Sequence, residues 1–134
     1  MTSKYQIKNG KVVVKELESD IVSDFIDMFY RIMPKYKIIR IPNEGTYKNK
    51  SIQKGTLIGC ADFLFDYTSK FYDVVINNYI YKYRNLWIEF KTKTGKQSKK
   101  QVEFEKFVES NGSKYIICRS AIEAIDEIKL YLGL

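Results

Sequence analysis

The chain has 134 residues, no histidine and two cysteines, Cys60 and Cys118. The missing histidine excludes Ser-His-Asp and Cys-His nucleophile systems and His-ligated zinc, and two cysteines cannot form a four-cysteine metal site. Acid–base or metal chemistry would therefore have to use carboxylates, lysine or tyrosine. The length predicts one domain over residues 1–134. Without a signal peptide or a membrane-length apolar run, we expect a soluble, intracellular protein with no membrane partner.

The net charge of +7 is concentrated in two short segments. Residues 35–54 carry six bases and one acid, and residues 91–100 carry five lysines and no acid. These segments together hold +10, and the remaining residues sum to −3. Two basic segments in an otherwise slightly acidic chain are typical of a surface that binds a polyanion. The alternative is two solvated lysine-rich loops without a partner.

Hydrophobic periodicity and turn residues predict an α/β domain with elements in the order (ββ)-α-β-β-(ββ)-β-α-β-α. In chain order these are an N-terminal hairpin within residues 1–15, a helix at 16–33, strands at 37–41 and 61–66, a tyrosine-rich hairpin at 67–84 with its turn at Asn77-Asn78, a strand at 85–92, a helix from Ser98 to Asn111-Gly112, a strand at 114–119 and a helix opened by Ser120. We expect a mixed central sheet flanked by helices.

The first and last helices are each predicted to bury one apolar stripe. The expected stripes are Ile21, Phe25, Met28, Phe29 and Ile32 in the first helix, and Ile122, Ile125, Ile128 and Leu132 in the last. Two capping boxes are expected, Ser98 with Gln101 and Ser120 with Glu123. Each would fix the first turn of its helix.

Glu89 and Lys91 are the most informative pair of charged residues. They lie two apart on a predicted strand, so both side chains leave the same face while Phe90 is anchored in the core. Asp62 occupies the polar face of the preceding strand, after Gly59, which allows close backbone approach. Two carboxylates and the Phe90 carbonyl form a hard-oxygen site suited to Mg²⁺ or Mn²⁺, with the lysine beside it. The alternative for Glu89 and Lys91 is a plain ion pair.

Three further residues are candidates for the same site. Gln101 is expected on the helix face that packs on the sheet, although it could serve only the capping box. Glu18 is predicted on the inward stripe of the first helix, where an acid needs a partner. Its alternative role is a first-turn acid favoured by the helix dipole. Glu44 is a competing candidate for the additional acid, and its alternative is a turn acid after Pro42.

Four sequence blocks in this order resemble the VRR-NUC branch of the PD-(D/E)xK nucleases. The blocks are Pro42-Asn43-Glu44-Gly45, Gly55-x3-Gly59-x2-Asp62, Ile88-Glu89-Phe90-Lys91-Thr92 and Gly95-Lys96-x-Ser98-x2-Gln101. The resemblance extends from about residue 16 to residue 130. It implies a restriction-endonuclease-like αβββαβ core and a divalent-metal-dependent DNA endonuclease. Cys60-Ala61 departs from the family pattern, which has a small residue and a proline before the acid.

The resemblance also implies roles for individual residues. Asp62 and Glu89 would bind the metal, and Lys91 would serve the hydrolytic water. Gln101 would stand beside the site, and Glu18 is the best match for the further acid that family members often carry on the first helix. Stand-alone members similar to Holliday-junction resolvases are typically homodimers that cut branched DNA, such as four-way junctions, so a homodimer acting on such DNA is expected.

Both basic segments adjoin the predicted site strands, which predicts a DNA-binding rim around the site. The expected DNA-binding residues are Arg40, Lys48, Lys50, Lys54, Lys93, Lys96, Ser98, Lys99 and Lys100. Two other classes of protein remain open from the sequence. One is a non-catalytic basic module that only binds nucleic acid. The other is a small α/β interaction protein that uses the tyrosine-rich hairpin as its contact surface.

Overall fold

The computed structural model of the protein describes residues 5–14, 16–42 and 59–134. Its elements follow the predicted order: β1 Tyr5–Lys8, β2 Lys11–Val14, α1 Glu18–Ile32, β3 Ile39–Arg40, β4 Phe63–Phe65, β5 Phe71–Asp73, β6 Asn78–Ile80, β7 Leu86–Phe90, α2 Lys99–Ser110, β8 Lys114–Cys118 and α3 Ala121–Leu132. None of the helices within these ranges is both long enough and apolar enough to cross a membrane.

A four-stranded sheet in the order β3-β4-β7-β8 forms the centre of the fold. The pairs β3–β4 and β4–β7 are antiparallel, and β7–β8 is parallel. The parallel pair needs a crossover connection, and α2 provides it between β7 and β8. The chain from α1 to β8 therefore has the expected αβββαβ order, and the predicted mixed α/β architecture is confirmed. β1–β2 and β5–β6 form separate two-stranded sheets.

Two apolar clusters surround this sheet. The larger contains the buried side chains of α1 and α3 together with Phe63, Phe65 and the alternate residues Leu86, Ile88 and Phe90 of β7. The smaller contains Phe104 and Val108 of α2, with Trp87 packed against it. Because β7 alternates between the clusters, its odd-numbered residues, Glu89 included, point towards the side of the sheet that α2 covers.

The predicted helix stripes are correct at their centres and wrong at one position each. In α1, Ile21, Phe25 and Phe29 are buried as predicted, but Ile32 in the last turn is exposed. In α3, Ile122 is exposed because the buried face is set by two small residues, Ala121 and Ala124, which let that helix approach its neighbours closely. A prediction based only on large apolar side chains therefore assigned the wrong position to part of the buried face of α3.

All four strands of the central sheet are shorter than predicted, and the shortening of β3 and β4 has identifiable causes. Only Ile39 and Arg40 form β3, because the backbone N–H of Lys37 donates instead to the hydroxyl of Tyr67, at 3.0 Å. Regular pairing in β4 begins at Phe63, so Ala61 packs in the α2 cluster and does not share a face with Phe63. Asp62 is consequently the residue immediately before β4.

The two hairpins form where the sequence predicts them. Asn9 and Gly10 have φ values of 51° and 73°, as a type I′ turn, which Asn-Gly favours, requires. In the second hairpin, Asn78 pairs with Asp73 as a strand residue, so the turn consists of residues 74–77 and not of Asn77-Asn78. Asn77 supplies the positive φ, at 53°.

Candidate active site

The carboxyl end of β7 brings Asp62, Glu89 and Lys91 together. Phe63 pairs with Ile88 in the antiparallel β4–β7 ladder, so Asp62 lies opposite Glu89 in register. The backbone N–H of Phe90 donates to Oδ2 of Asp62 at 2.7 Å. One ladder thus fixes the two carboxylates side by side on adjacent strands.

Glu89 is a buried acid with incomplete hydrogen bonding. It is 2% exposed, and its Oε1 accepts a hydrogen bond from Nε2 of Gln101 at 2.9 Å. Its Oε2 is also buried and has no hydrogen-bond partner among the described residues. Burial, and then the neighbouring charge of Asp62, raise the pKa of Glu89 to about 8. A buried carboxylate without a full set of donors among the described residues is unfavourable in its charged form, so a cation bound here would be favoured.

The pKa of Asp62 is raised for reasons similar to those that raise the pKa of Glu89. Burial raises the pKa of its carboxyl group, and the negative charge of Glu18 acts in the same direction. The hydrogen bond from Phe90 and the positive charges of Lys91 and Arg40 lower it, but the net shift is upward. The described cations are therefore insufficient to balance the two carboxylates.

Lys91 links this pair to the first helix. The residue is 7% exposed, and its Nζ lies 3.6 Å from Oε1 of Glu89 and 3.9 Å from Oε1 of Glu18. Glu18 is the first residue of α1, and its side chain is 49% exposed, so it is less inward than predicted. Glu18 occupies the first helical turn and also contacts the site. Its two predicted roles, as an acid favoured by the helix dipole and as an additional acid of the site, are therefore compatible.

No group of three or more Asp, Glu or Cys side chains in residues 5–14, 16–42 and 59–134 is arranged to hold a metal ion. A cation at Asp62 and Glu89 would need its remaining ligands from main-chain oxygen and water. The roles of Glu18 and of the Phe90 carbonyl as ligands stay predictions.

Gln101 performs both of the functions that the sequence left open. Its Oε1 accepts a hydrogen bond from Ser98 N at 2.8 Å, and its own N–H donates to Ser98 Oγ at 3.2 Å, which completes the capping box. Its Nε2 donates to Glu89. The start of α2 is therefore tied to the site strand through one side chain.

Gly59 permits the close approach expected before Asp62. Its φ is +86°, and a Cβ added there would lie 2.6 Å from the backbone carbon and oxygen of Lys100. Any larger residue would push the segment before β4 away from the start of α2. Gly55, the other glycine in the Gly55-x3-Gly59-x2-Asp62 block, lies outside the described residues.

The described basic residues lie around the same edge. Arg40 is close enough to Asp62 to lower its pKa, while Lys93, Lys96, Lys99 and Lys100 are exposed on the connection from β7 to α2 and in its first turn. Lys100 forms an ion pair with Glu103 at 3.5 Å, and Ser98 is the N-cap of α2. Glu44, Lys48, Lys50 and Lys54 lie outside the described residues.

No protein-family model matches the chain, and no curated protein is similar to it in sequence. A solved structure described as a "VRR_NUC domain protein" is similar to it, with a TM-score of 0.66 at 19% sequence identity. The likeness covers 90% of this chain and 93% of the other. The protein has the fold of that VRR_NUC domain protein. The fold implied by the four sequence blocks is therefore confirmed.

The sequence did not identify Arg119 as a residue beside this candidate site. Its Nη1 donates to the carbonyl oxygens of Thr92 at 2.6 Å and Gly95 at 2.8 Å, and lies 3.4 Å from that of Lys93. Arg119 follows β8, which runs parallel to β7, so it emerges at the same sheet edge as Lys91. A basic residue just after the neighbouring parallel strand was the signal that could have identified it.

For the DNA partner expected from the sequence, Arg119→Ala should weaken binding roughly tenfold, because the turn that carries Lys93 loses its donor and one cation is removed. The free energy of unfolding should fall by only about 1 kcal/mol. Fluorescence anisotropy with labelled duplex and thermal denaturation would measure the two effects. Arg31→Ala, which removes an exposed arginine from α1, is the matched control. Equal affinities for the two variants would contradict this role.

Two substitutions can separate the role of Gln101 in capping α2 from its hydrogen bond to Glu89, because each removes one contact and keeps the other. Gln101→Glu keeps an acceptor for Ser98 N but replaces the donor to Glu89 with a third carboxylate. We therefore expect near-normal helix stability and strong loss of the nuclease activity that the sequence predicts. Ser98→Ala removes the cap, at a cost of about 1 kcal/mol, and leaves the Glu89 hydrogen bond in place. It should retain cleavage at saturating DNA. The opposite pattern would show that Gln101 acts only in capping.

Proposed function

We propose that the protein is a divalent-metal-dependent endonuclease that hydrolyses phosphodiester bonds in DNA, with branched DNA such as four-way junctions as its preferred substrate. The observation that carries this proposal is the buried Oε2 of Glu89, which has no hydrogen-bond partner within residues 5–14, 16–42 and 59–134, beside Asp62 and with Lys91 on the same face. A plain Glu89–Lys91 ion pair would not require a second carboxylate in the adjacent register position. The VRR_NUC fold supports the same class of enzyme.

The donor set fits Mg²⁺ or Mn²⁺. Asp62 and Glu89 would hold the ion, with the Phe90 carbonyl and Glu18 as further candidate ligands, and carboxylate and carbonyl oxygens are the ligands these ions prefer. When bound, the cation would supply the Lewis acid that polarises the phosphodiester and favours hydroxide over water. Its positive charge would also offset the like-charge repulsion that raises the pKa of both carboxyl groups.

The side chains of the chain itself would position and stabilise the reacting groups. Lys91 carries a largely buried ammonium group that can orient the attacking water and stabilise the extra negative charge of the transition state. The Phe90 N–H fixes the Asp62 carboxylate, and Gln101 fixes that of Glu89. Because these groups are held before substrate arrives, little reorganisation is needed during the reaction.

The charge distribution supports DNA as the partner. Exposed lysines on the β7–α2 connection stand beside the site, and their contribution to binding would be independent of sequence and sensitive to salt. A homodimer would present two such sites, as cutting both strands at a junction requires.

Cleavage of labelled four-way junction, flap and linear DNA of equal length, with Mg²⁺, Mn²⁺ or EDTA, tests the proposal. We expect metal-dependent cleavage that is fastest on the junction and absent in Asp62→Asn. Asp66→Asn is the matched control, because Asp66 is an exposed aspartate at the other end of β4. Equal activity of wild type and Asp62→Asn would exclude this site.

The competing class is a basic module that binds nucleic acid without cleaving it. In that protein Glu89 and Lys91 would form only an ion pair, so DNA affinity would be unchanged by metal and by Glu89→Gln. Binding measured with and without Mn²⁺ therefore separates the two classes even if cleavage is slow.

A further inference from the structure

The β5–β6 hairpin exposes apolar side chains where turns usually carry polar residues. Val75 is 90% exposed, and its neighbours Val74 and Ile76 are exposed as well. Tyrosines on both arms extend this surface. We refer to Tyr72, Val74, Val75, Ile76, Tyr79 and Tyr81 together as the hairpin tip. A group of neighbouring apolar side chains that are all exposed is typical of a binding site.

The conformation of the hairpin tip is fixed before any partner binds. Oδ1 of Asp73 accepts hydrogen bonds from the backbone N–H groups of Val75 at 2.8 Å and Ile76 at 3.3 Å. The hydroxyl of Tyr72 donates to Oδ1 of Asn77. The aliphatic side chains are therefore held outward by a closed turn, and binding would not have to order this segment.

The base of the hairpin is anchored to the end of α3. Oγ of Ser69 accepts hydrogen bonds from the N–H groups of Lys82 and Tyr83, and Lys70 N donates to the Tyr131 carbonyl at 3.1 Å. Gly133 approaches Lys70 so closely that an added Cβ would lie 2.2 Å from its carbonyl oxygen. These contacts make the hairpin a rigid arm that projects from the fold.

The charge around this arm favours a polyanion. Residues 67–84 contain Lys70, Lys82 and Arg84 against one acid, Asp73, whose carboxylate closes the turn. Nζ of Lys70 lies 4.1 Å from the centroid of the Tyr79 ring, so cationic and aromatic groups are adjacent. A two-fold contact between hairpins of two copies would bring like charges together, whereas phosphates would neutralise them.

We propose that the hairpin tip inserts at a branch point of DNA, where interrupted stacking exposes the apolar faces of the bases. Aliphatic side chains that enter between bases have to unstack them, which costs least where stacking is already interrupted, and tyrosine rings can stack on bases of any sequence. This inference rests on the proposed DNA substrate and adds the element that would select branched DNA.

The arm lies away from the site of cleavage. Phe65 and Leu86, which flank the excursion, pair at the end of the β4–β7 ladder opposite Lys91. Five residue steps lead from Leu86, at the base of the arm, to Lys91, a distance of about 16 Å. That distance corresponds to about five nucleotide steps along a strand. The hairpin tip would therefore select DNA shape without contacting the reacting phosphate.

Binding without divalent metal tests this role separately from cleavage. The probe is a four-way junction with 2-aminopurine beside the branch, compared with a linear duplex of equal length, both in EDTA. Ile76→Ser combined with Val75→Ser should weaken junction binding roughly tenfold and abolish the rise in 2-aminopurine fluorescence. Affinity for linear duplex should be unchanged. Ile122→Ser is the matched control, because Ile122 and Ile76 are similarly exposed, at 55% and 59%.

Undiminished preference of the double variant for the junction would overturn the inference. So would loss of a homodimer in the double variant, measured by sedimentation, because the hairpin tip would then be a protein interface. Failure of the wild-type protein to cleave any DNA would contradict the proposed function but not the binding result, so the two proposals fail independently.

Discussion

Lys91→Ala is expected to lower the rate of DNA cleavage by about a thousandfold at saturating DNA and metal. Lys91 carries the buried ammonium group that faces both Glu89 and Glu18. Its removal takes away the cation that would orient water and stabilise the charge of the transition state. Single-turnover cleavage of a labelled four-way junction measures the effect, and DNA affinity should change little.

Lys93→Ala is the matched control for this prediction. Lys93 lies two residues further along but is exposed, so its loss should weaken DNA binding and leave the saturated rate nearly unchanged. If Lys91→Ala altered only affinity, as expected for Lys93→Ala, then Lys91 would be a phosphate-binding residue and its role in the reaction would be wrong.

Glu89→Gln is expected to abolish cleavage and yet stabilise the metal-free protein at pH 8. The glutamate has a folded-state pKa of about 8, against 4.5 in the unfolded chain. Between these values the unfolded chain releases its proton more readily, so folding stability falls as pH rises from 4.5 to 8. Below pH 4.5 the carboxyl group is protonated in both states. Glutamine removes this loss, and the melting temperature should rise by roughly 5 °C at pH 8.

Thermal denaturation from pH 5 to pH 8 tests whether the stability of the wild-type protein falls with rising pH as predicted. The difference in melting temperature between Glu89→Gln and wild type should grow with pH. Mn²⁺ should stabilise wild type at pH 8 and have little effect on the variant. Glu103→Gln, at an exposed glutamate of α2, is the control. A variant that is less stable than wild type at pH 8 would show that Glu89 serves a structural ion pair.

The grouping of the central site residues could be predicted from the alternation of side chains along a strand and from the two-residue spacing of Glu89 and Lys91. Alternation in Leu86–Phe90 assigned Glu89 and Lys91 to one face, and the ladder with β4 brings Asp62 beside them. The side of the sheet they occupy is the one that α2 covers, which explains how Gln101 can cap its helix and contact Glu89. Local rules sufficed here because each of these residues lies within a regular element or next to one.

Other features depend on contacts that sequence patterns do not encode. Arg119 binds the 92–95 turn only because β8 is parallel to β7. The predicted second capping box is incomplete, because the Glu123 carboxylate accepts from Arg119 N and not from Ser120 N. The exposure of Ile122 follows from the small residues that let α3 pack closely. The contacts of Arg119 and the exposure of Ile122 follow from tertiary packing, whereas the capping difference comes from a local hydrogen bond one residue before the expected donor.

Soaking crystals of the protein in Mn²⁺ and measuring anomalous scattering shows directly whether Asp62 and Glu89 bind a divalent metal. We expect a manganese peak in contact with carboxylate oxygens of both residues, and no such peak in crystals of Asp62→Asn. A fully occupied manganese ion elsewhere, with Glu89 still in contact with Lys91 and Gln101 and with no metal, would contradict the proposed metal site.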